Sequence, residues 1–195
     1  MCGVPYHAYE TYVGRLVRKG YKVAICEQVE DPKSAKGLVK REIVRMITPG
    51  TLIDASMLDE NLNNFLSCAF GSASSYGVTF CDISTGEVYV TEVRREQSHQ
   101  ELFSEFGRFV PREVLLGGDC VSDKELQEFI SKRLEGIFSA LPDSVFETEP
   151  AKVRVCEQFH LEDFEASGLD DLPAALCALG GLLAYLEETQ KSSLA

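Results

Sequence analysis

The sequence has 195 residues, 45% hydrophobic and 26% charged, with 19 Lys and Arg against 31 Asp and Glu and a formal net charge of −12. That mixture is ordinary for a globular chain and unlike a disordered one, and the length suits one large domain or two small ones. No run of about 18 apolar residues occurs, so no transmembrane helix is expected, and MCGVPYHAYE lacks the charged-then-apolar layout of a secretory leader, so a cytoplasmic location is expected. The seven cysteines are odd in number and form no Cys-x-x-Cys, and the three histidines are widely separated. This argues against a zinc site or a disulfide framework and for cysteines that serve as small buried hydrophobes.

The charge is divided unevenly. Residues 1–55 carry nine Lys and Arg against six Asp and Glu, a balance of +3, which leaves −15 for residues 56–195. A basic segment joined to an acidic one suggests that only the first faces a polyanion and that the second meets protein. The basic residues concentrate in KSAKGLVKREIVRMITPGT (33–51), where Lys33, Lys36, Lys40, Arg41 and Arg45 surround the single acid Glu42.

In chain order, Pro5 borders a helix over 7–19. Tyr9, Tyr12, Val13, Leu16 and Val17 share one face of it, and Gly20 is placed to end it. YKVAICE (21–27) reads as a short, mostly buried strand, EDPKSAKG as a polar loop, and KREIVRMIT (40–48) as a second strand stopped by Pro49-Gly50. A polar connection through DENLNN places a domain boundary near residue 56. Three strands follow at 65–70, 76–83 and 87–93, the last two joined by a tight Ser-Thr-Gly turn. After a helix over 98–109 comes a buried strand at 112–117, then a helix over 123–134. SVFE (144–147) offers a further strand, and helices over 150–159 and 173–189 complete the chain, the last apolar on most sides. This order, βββαβα and then βαα, describes an α/β sandwich with an antiparallel meander and parallel additions.

The segment GVPYHAYETYVGRLVRKGYKVAICEQVEDPKSAKGLVKREIVRMITPGT resembles the second half of the mismatch-recognition domain of the MutS family of DNA mismatch repair proteins. Gly-x-Pro-Tyr-His-Ala, Ala-Ile-Cys-Glu-Gln, Asp-Pro, Lys-Gly, Lys-Arg-Glu and Thr-Pro-Gly-Thr stand in the family's order. Residues 56–195 resemble the family's connector domain more loosely, through DISTGE and LGGLLAYLEETQ. The resemblance implies a partial mixed α/β recognition domain at 1–55, followed by an RNase H-like connector at 56–195. It also implies a portion of MutS that lacks the Phe-x-Glu mismatch reader, since the one triplet of that form, Phe103-Ser104-Glu105, falls in a connector helix. No G-x-x-x-x-G-K-[ST] occurs either, so the family's ATPase, with its ATP and magnesium, is expected to be absent and the chain is expected not to be an enzyme.

Candidate DNA contacts follow. Lys36, Lys40 and Arg41 would neutralise phosphates, although alternation along a strand sends neighbours to opposite faces and Arg45 reads as structural. By resemblance, Met1, Pro5, Tyr6 and His7 would lie near the minor groove, where an apolar wedge helps kink a duplex. The alternative for Pro5 and Tyr6 is a rigid turn and a core contact at the helix entry. The family role further implies mismatched double-stranded DNA as a ligand, a MutL-type matchmaker as a partner of the connector, and a homodimeric parent. Two readings of other classes remain: a metal-dependent RNase H-like phosphodiesterase centred on Asp82, whose alternative role is to cap its turn, and a pure protein-interaction module. Metal-dependent cleavage lost in Asp82→Asn would favour the nuclease. Indifference of every partner to charge reversal at Lys36 and Lys40 would favour the module.

Overall fold

The computed structural model describes residues 2–30, 39–53, 63–97 and 99–190. The expected boundary near 56 and all but the first residue of the expected loop EDPKSAKG (30–37) lie outside them.

The first unit is small. Pro5 is extended, and its carbonyl accepts the Ala8 N–H at 3.0 Å, closing one 3-10 turn before helix α1 (Tyr9–Arg18). Strands β1 (Val23–Gln28) and β2 (Arg41–Ile47) pair antiparallel. Val13 and Val17 of α1 pack with Ile47 and Leu52, and with half-buried Tyr9, Val23 and Ile25, on one face of this two-stranded sheet. The expected buried strand at 21–27 is corrected: most of β1 is exposed. Ile43 of β2 and Tyr12 and Leu16 of α1 are exposed as well.

The second unit is a five-stranded mixed sheet in the order β5-β4-β3-β6-β7. Strands β3 (Phe65–Gly71), β4 (Ser75–Asp82) and β5 (Glu87–Arg94) form the meander, while β6 (Glu113–Gly118) and β7 (Ile137–Ala140) add parallel to β3 and to each other. Every residue of β4 is buried, as a central strand covered on both faces requires. Helices α2 (His99–Phe109) and α3 (Lys124–Lys132) cover one face through Leu102, Phe106, Leu126 and Ile130, with Phe80 stacked on Phe109 at 4.2 Å between centroids. Asp123 caps α3 by accepting the Leu126 N–H at 3.0 Å, and its other oxygen meets His99 Nε2 at 2.8 Å, which ties the two helices together.

Helix α5 (Pro173–Thr189) covers the opposite face, and α4 (Thr148–Phe159) packs on top of α5. The apolar character of α5 all round thus reflects burial on two sides: Cys177, Leu182 and Tyr185 meet the sheet, while Leu176, Leu179 and Leu183 meet Ala151 and Val155 of α4. A Cβ at Gly77 would run into the Ala174 carbonyl, so glycine alone permits α5 to start this close to β4. Glu92 of β5 completes that start by accepting the Ala174 and Ala175 N–H groups at 2.9 and 3.1 Å.

SVFE is not a strand. Residues Asp143–Phe146 form a 3-10 turn that follows Pro142, and it drops Phe146 onto Phe70 at 5.1 Å. The strand lies earlier, at β7, where only four residues pair along the sheet edge.

Candidate functional site

Of the expected DNA contacts, Met1 and Lys36 lie outside the described residues. Pro5, Tyr6 and His7 are all exposed at the entry to α1, and Tyr6 is 85% exposed with its ring 5.8 Å from Tyr9. The core contact considered for Tyr6 is therefore absent; the rigid turn at Pro5 is present.

Lys40 and Arg41 are exposed at the far end of the hairpin. Lys40 pairs with Glu42 at 2.6 Å, and that hydrogen bond and charge raise the Lys40 pKa above its ordinary value. Its backbone N–H meets a Glu30 carboxylate oxygen at 3.2 Å. The pairing of β1 with β2 is interrupted between Ile25 and Cys26, where Ile25 faces Arg45 and Cys26 faces Ile43, leaving Val44 as an extra residue. Arg45 therefore shares the α1-facing side with Ile25, where it is half-buried, whereas Arg41 shares the open side with Ile43. Lys40 and Arg41 point apart, and Arg45, expected to be structural, is half-buried opposite Ile25.

Asp82 is fully engaged as a turn residue. One carboxylate oxygen accepts from the backbone and side chain of Ser84 at 2.9 and 2.6 Å, and the other accepts the Asn64 N–H at 3.1 Å. Its carbonyl accepts the Gly86 N–H at 2.9 Å. Among the described residues no group of three His, Cys, Asp or Glu could hold a metal ion, so the two-metal arrangement that a nuclease needs has no donors there.

The most developed polar site joins residues that no sequence pattern connects. Glu113, buried at the start of β6, meets Lys22 Nζ at 2.8 Å, the Tyr185 hydroxyl at 2.8 Å and the Gly50 N–H at 3.1 Å. Lys22 Nζ also donates to Ser139 Oγ and Tyr185 Oη, each at 3.0 Å, so all three of its protons have acceptors. Burial lowers the Lys22 pKa, but the charge and hydrogen bond of Glu113 outweigh it and the net direction is up. Burial, reinforced by the Glu113 charge, pushes the Tyr185 phenol from 10.0 to about 12.

Thr-Pro-Gly-Thr ends in this site. Thr51 Oγ1 accepts the Thr48 N–H at 2.9 Å, and the Thr51 N–H returns to the Thr48 carbonyl at 3.1 Å, so the turn is closed on itself and buried. A Cβ on Gly50 would press on Leu66 and on Glu113. The Asn64 side-chain amide donates to the Pro49 carbonyl at 2.9 Å. The end of the basic stretch is thus a plug seated between the two units. Lys22, Gly50, Glu113 and Tyr185 carried no local signal that they meet, since each reads alone as a surface lysine, a turn glycine, a strand-edge acid or a helix aromatic.

Comparison with known proteins agrees with both halves of the chain. A family model described as MutS domain I matches residues 1–56, and one described as MutS domain II matches residues 64–195. Proteins named DNA mismatch repair protein MutS are similar over the whole chain: 40% identical over 194 residues in Acetivibrio thermocellus, 42% over 197 residues in Alkaliphilus metalliredigens and 39% over 194 residues in Methanococcoides burtonii. In each case the match takes in 100% of this chain and 22% of the relative's length.

Proposed function

Because this chain belongs to the MutS family, we propose that it serves DNA mismatch repair as a DNA-facing unit (1–55) joined to a coupling unit (56–195). One observation carries this reading. In a chain similar throughout to proteins named for mismatch repair, the net positive charge is confined to the small first unit, and a buried network fixes that unit to an acidic body. Pro5, Tyr6 and His7 present an exposed aromatic and imidazole edge at the helix entry, suited to a minor groove. Lys40 and Arg41 supply phosphate contacts from opposite faces of the hairpin tip, so one duplex would engage one of them closely and the other through its flank. Met1 and Lys36 belong to the same proposed surface by resemblance.

The body couples that contact to the rest of a longer protein and offers its acidic surface to a MutL-type partner. Homodimerisation belongs to the parent protein, and the cytoplasm is the proposed compartment. No helix among the described residues is long and apolar enough to cross a membrane. ATP and magnesium would be handled by family segments other than those matched here, and the described residues are assigned no catalytic step.

Fluorescence anisotropy of a labelled duplex, homoduplex against G·T mismatch, at two salt concentrations tests the reading. Weak, salt-sensitive binding without mismatch preference is expected. Reversing Lys40 and Arg41 to Glu should weaken binding to both duplexes alike and reduce the salt slope by about 2. Binding at low salt that is indifferent to the reversal would sink the assignment.

A further inference from the structure

The Glu113 site has the make-up of a joint. Its members come from five places: Lys22 precedes β1, Gly50 follows β2, Glu113 stands on β6, Ser139 on β7 and Tyr185 on α5. Two belong to the first unit and three to the body. Both Glu113 oxygens are occupied, one by Lys22 and Tyr185 and the other by Gly50. The charges cancel within the site, and the hydroxyl of Tyr185 accepts from the cation while donating to the anion.

Such a network contributes little net stability, because desolvating two ions offsets most of their attraction. What it supplies is geometry. A buried carboxylate tolerates few arrangements of its donors, so any rotation of the first unit on the body would strand an ion in a dry site. Apolar contact alone, such as Leu66 against the Gly50 turn, carries no such penalty for sliding.

We propose that Glu113 is the positioning residue that locks the first unit onto the body in a single orientation, acting through Lys22 and the Gly50 N–H. Orientation, more than stability, is what it contributes. The proposal deepens the coupling role above and rests on that role for its purpose, since a contact made by the first unit reaches the body only through a fixed joint.

The test measures orientation without DNA. Spin labels at Thr11→Cys on α1 and Glu128→Cys on α3, in a background with the accessible Cys2, Cys26 and Cys156 replaced by Ser, report the distance between the units. The unmodified joint should give one narrow distribution. Glu113→Gln and Lys22→Met should broaden it or add a second population. The double variant Glu113→Leu with Lys22→Met should recover the thermal stability of the parent while the distribution stays broad, which a merely structural carboxylate would not do. Lys22 lies outside the sheet of the body, so Lys22→Met keeps the test decisive even if Glu113→Gln fails to fold. A distribution as narrow in Lys22→Met as in the parent overturns the joint. Measuring duplex binding on the same samples separates the two readings: a narrow distribution in Lys22→Met with salt-sensitive binding removes the joint alone, and broadening without duplex binding in the parent removes the DNA role alone.

Discussion

Removing the Glu92 carboxylate should unseat helix α5. A helix leaves its first backbone N–H groups without intrahelical partners, and here each can be followed to a destination. The Leu172 N–H goes to the Leu169 carbonyl at 3.1 Å, Pro173 has none, and the Ala174 and Ala175 N–H groups go to one oxygen of Glu92 at 2.9 and 3.1 Å. The Leu176 N–H then begins the helix on Leu172 at 2.9 Å, and the other Glu92 oxygen accepts from Ser75 Oγ at 2.7 Å. Ala174 and Ala175 are buried, so Glu92→Ala strands two donors, and with each worth about 1–3 kcal/mol the cost should be about 3 kcal/mol. Glu92→Gln keeps an acceptor and loses the charge on the helix terminus, for about 0.5–1 kcal/mol. At about 2–4 °C per kcal/mol for a chain of this size, the alanine variant should melt about 6–12 °C lower. Urea unfolding followed by circular dichroism at 222 nm measures both. An alanine variant within about 0.5 kcal/mol of the parent at unchanged m-value would refute this account of how α5 begins.

Two further outcomes follow from buried titratable groups. The folded value of Tyr185, about 12, lies above its ordinary 10.0, so its contribution is whole below pH 10 and fades as pH rises toward 12; stability against pH in that window should fall less steeply in Tyr185→Phe, by roughly 2 kcal/mol in total. Burial pushes the Cys81 and Cys120 thiols up to about 11 and about 12 and raises Cys68 and Cys177 as well, so Ellman's reagent at pH 8 should modify exposed Cys2 and Cys26 quickly and the four buried thiols only on unfolding. Prompt reaction of Cys120 in the native chain would contradict the packing described.

Elements that bury a continuous run were legible in the sequence. β3, β4 and β6 announced themselves as apolar strands bounded by turn residues, and α5 as an apolar stretch opened by Pro173. The strand β7 escaped because IFSA pairs over only four residues, too few for alternation to show, while Val145 and Phe146 nearby gave apolar signal to a segment that turns. Strand β1 reads as buried because VAIC is apolar, but burial depends on what covers each face, and that is not a local property. For the candidate site, the residue types at Pro5, Tyr6, His7, Lys40 and Arg41 could be read directly, whereas the exposure of Tyr6 could not, since an aromatic at a helix entry serves a core equally well. The Glu113 network could not, because Lys22 and Glu113 are brought together by packing across 91 positions and neither has a neighbour in sequence that signals the other.

The extra residue in β2 has a consequence for how charge can be redistributed on this hairpin. A strand assigns side chains to its two sides by parity, and one inserted residue inverts the parity of everything before it. With Val44 present, Arg41 and Ile43 look away from α1 although Arg45 and Ile47 look toward it. Odd-numbered neighbours of one strand thus serve two environments without any change in composition. If the ladder closed up with Val44 kept, Val44 would stand opposite Cys26 and Arg41 would turn to the helix side, exchanging the charge shown to each flank; deleting Val44 would instead leave Ile43 opposite Cys26 and Arg41 where it is. The sidedness of this surface is therefore set by which residue stands as the extra one in the ladder, and not by composition.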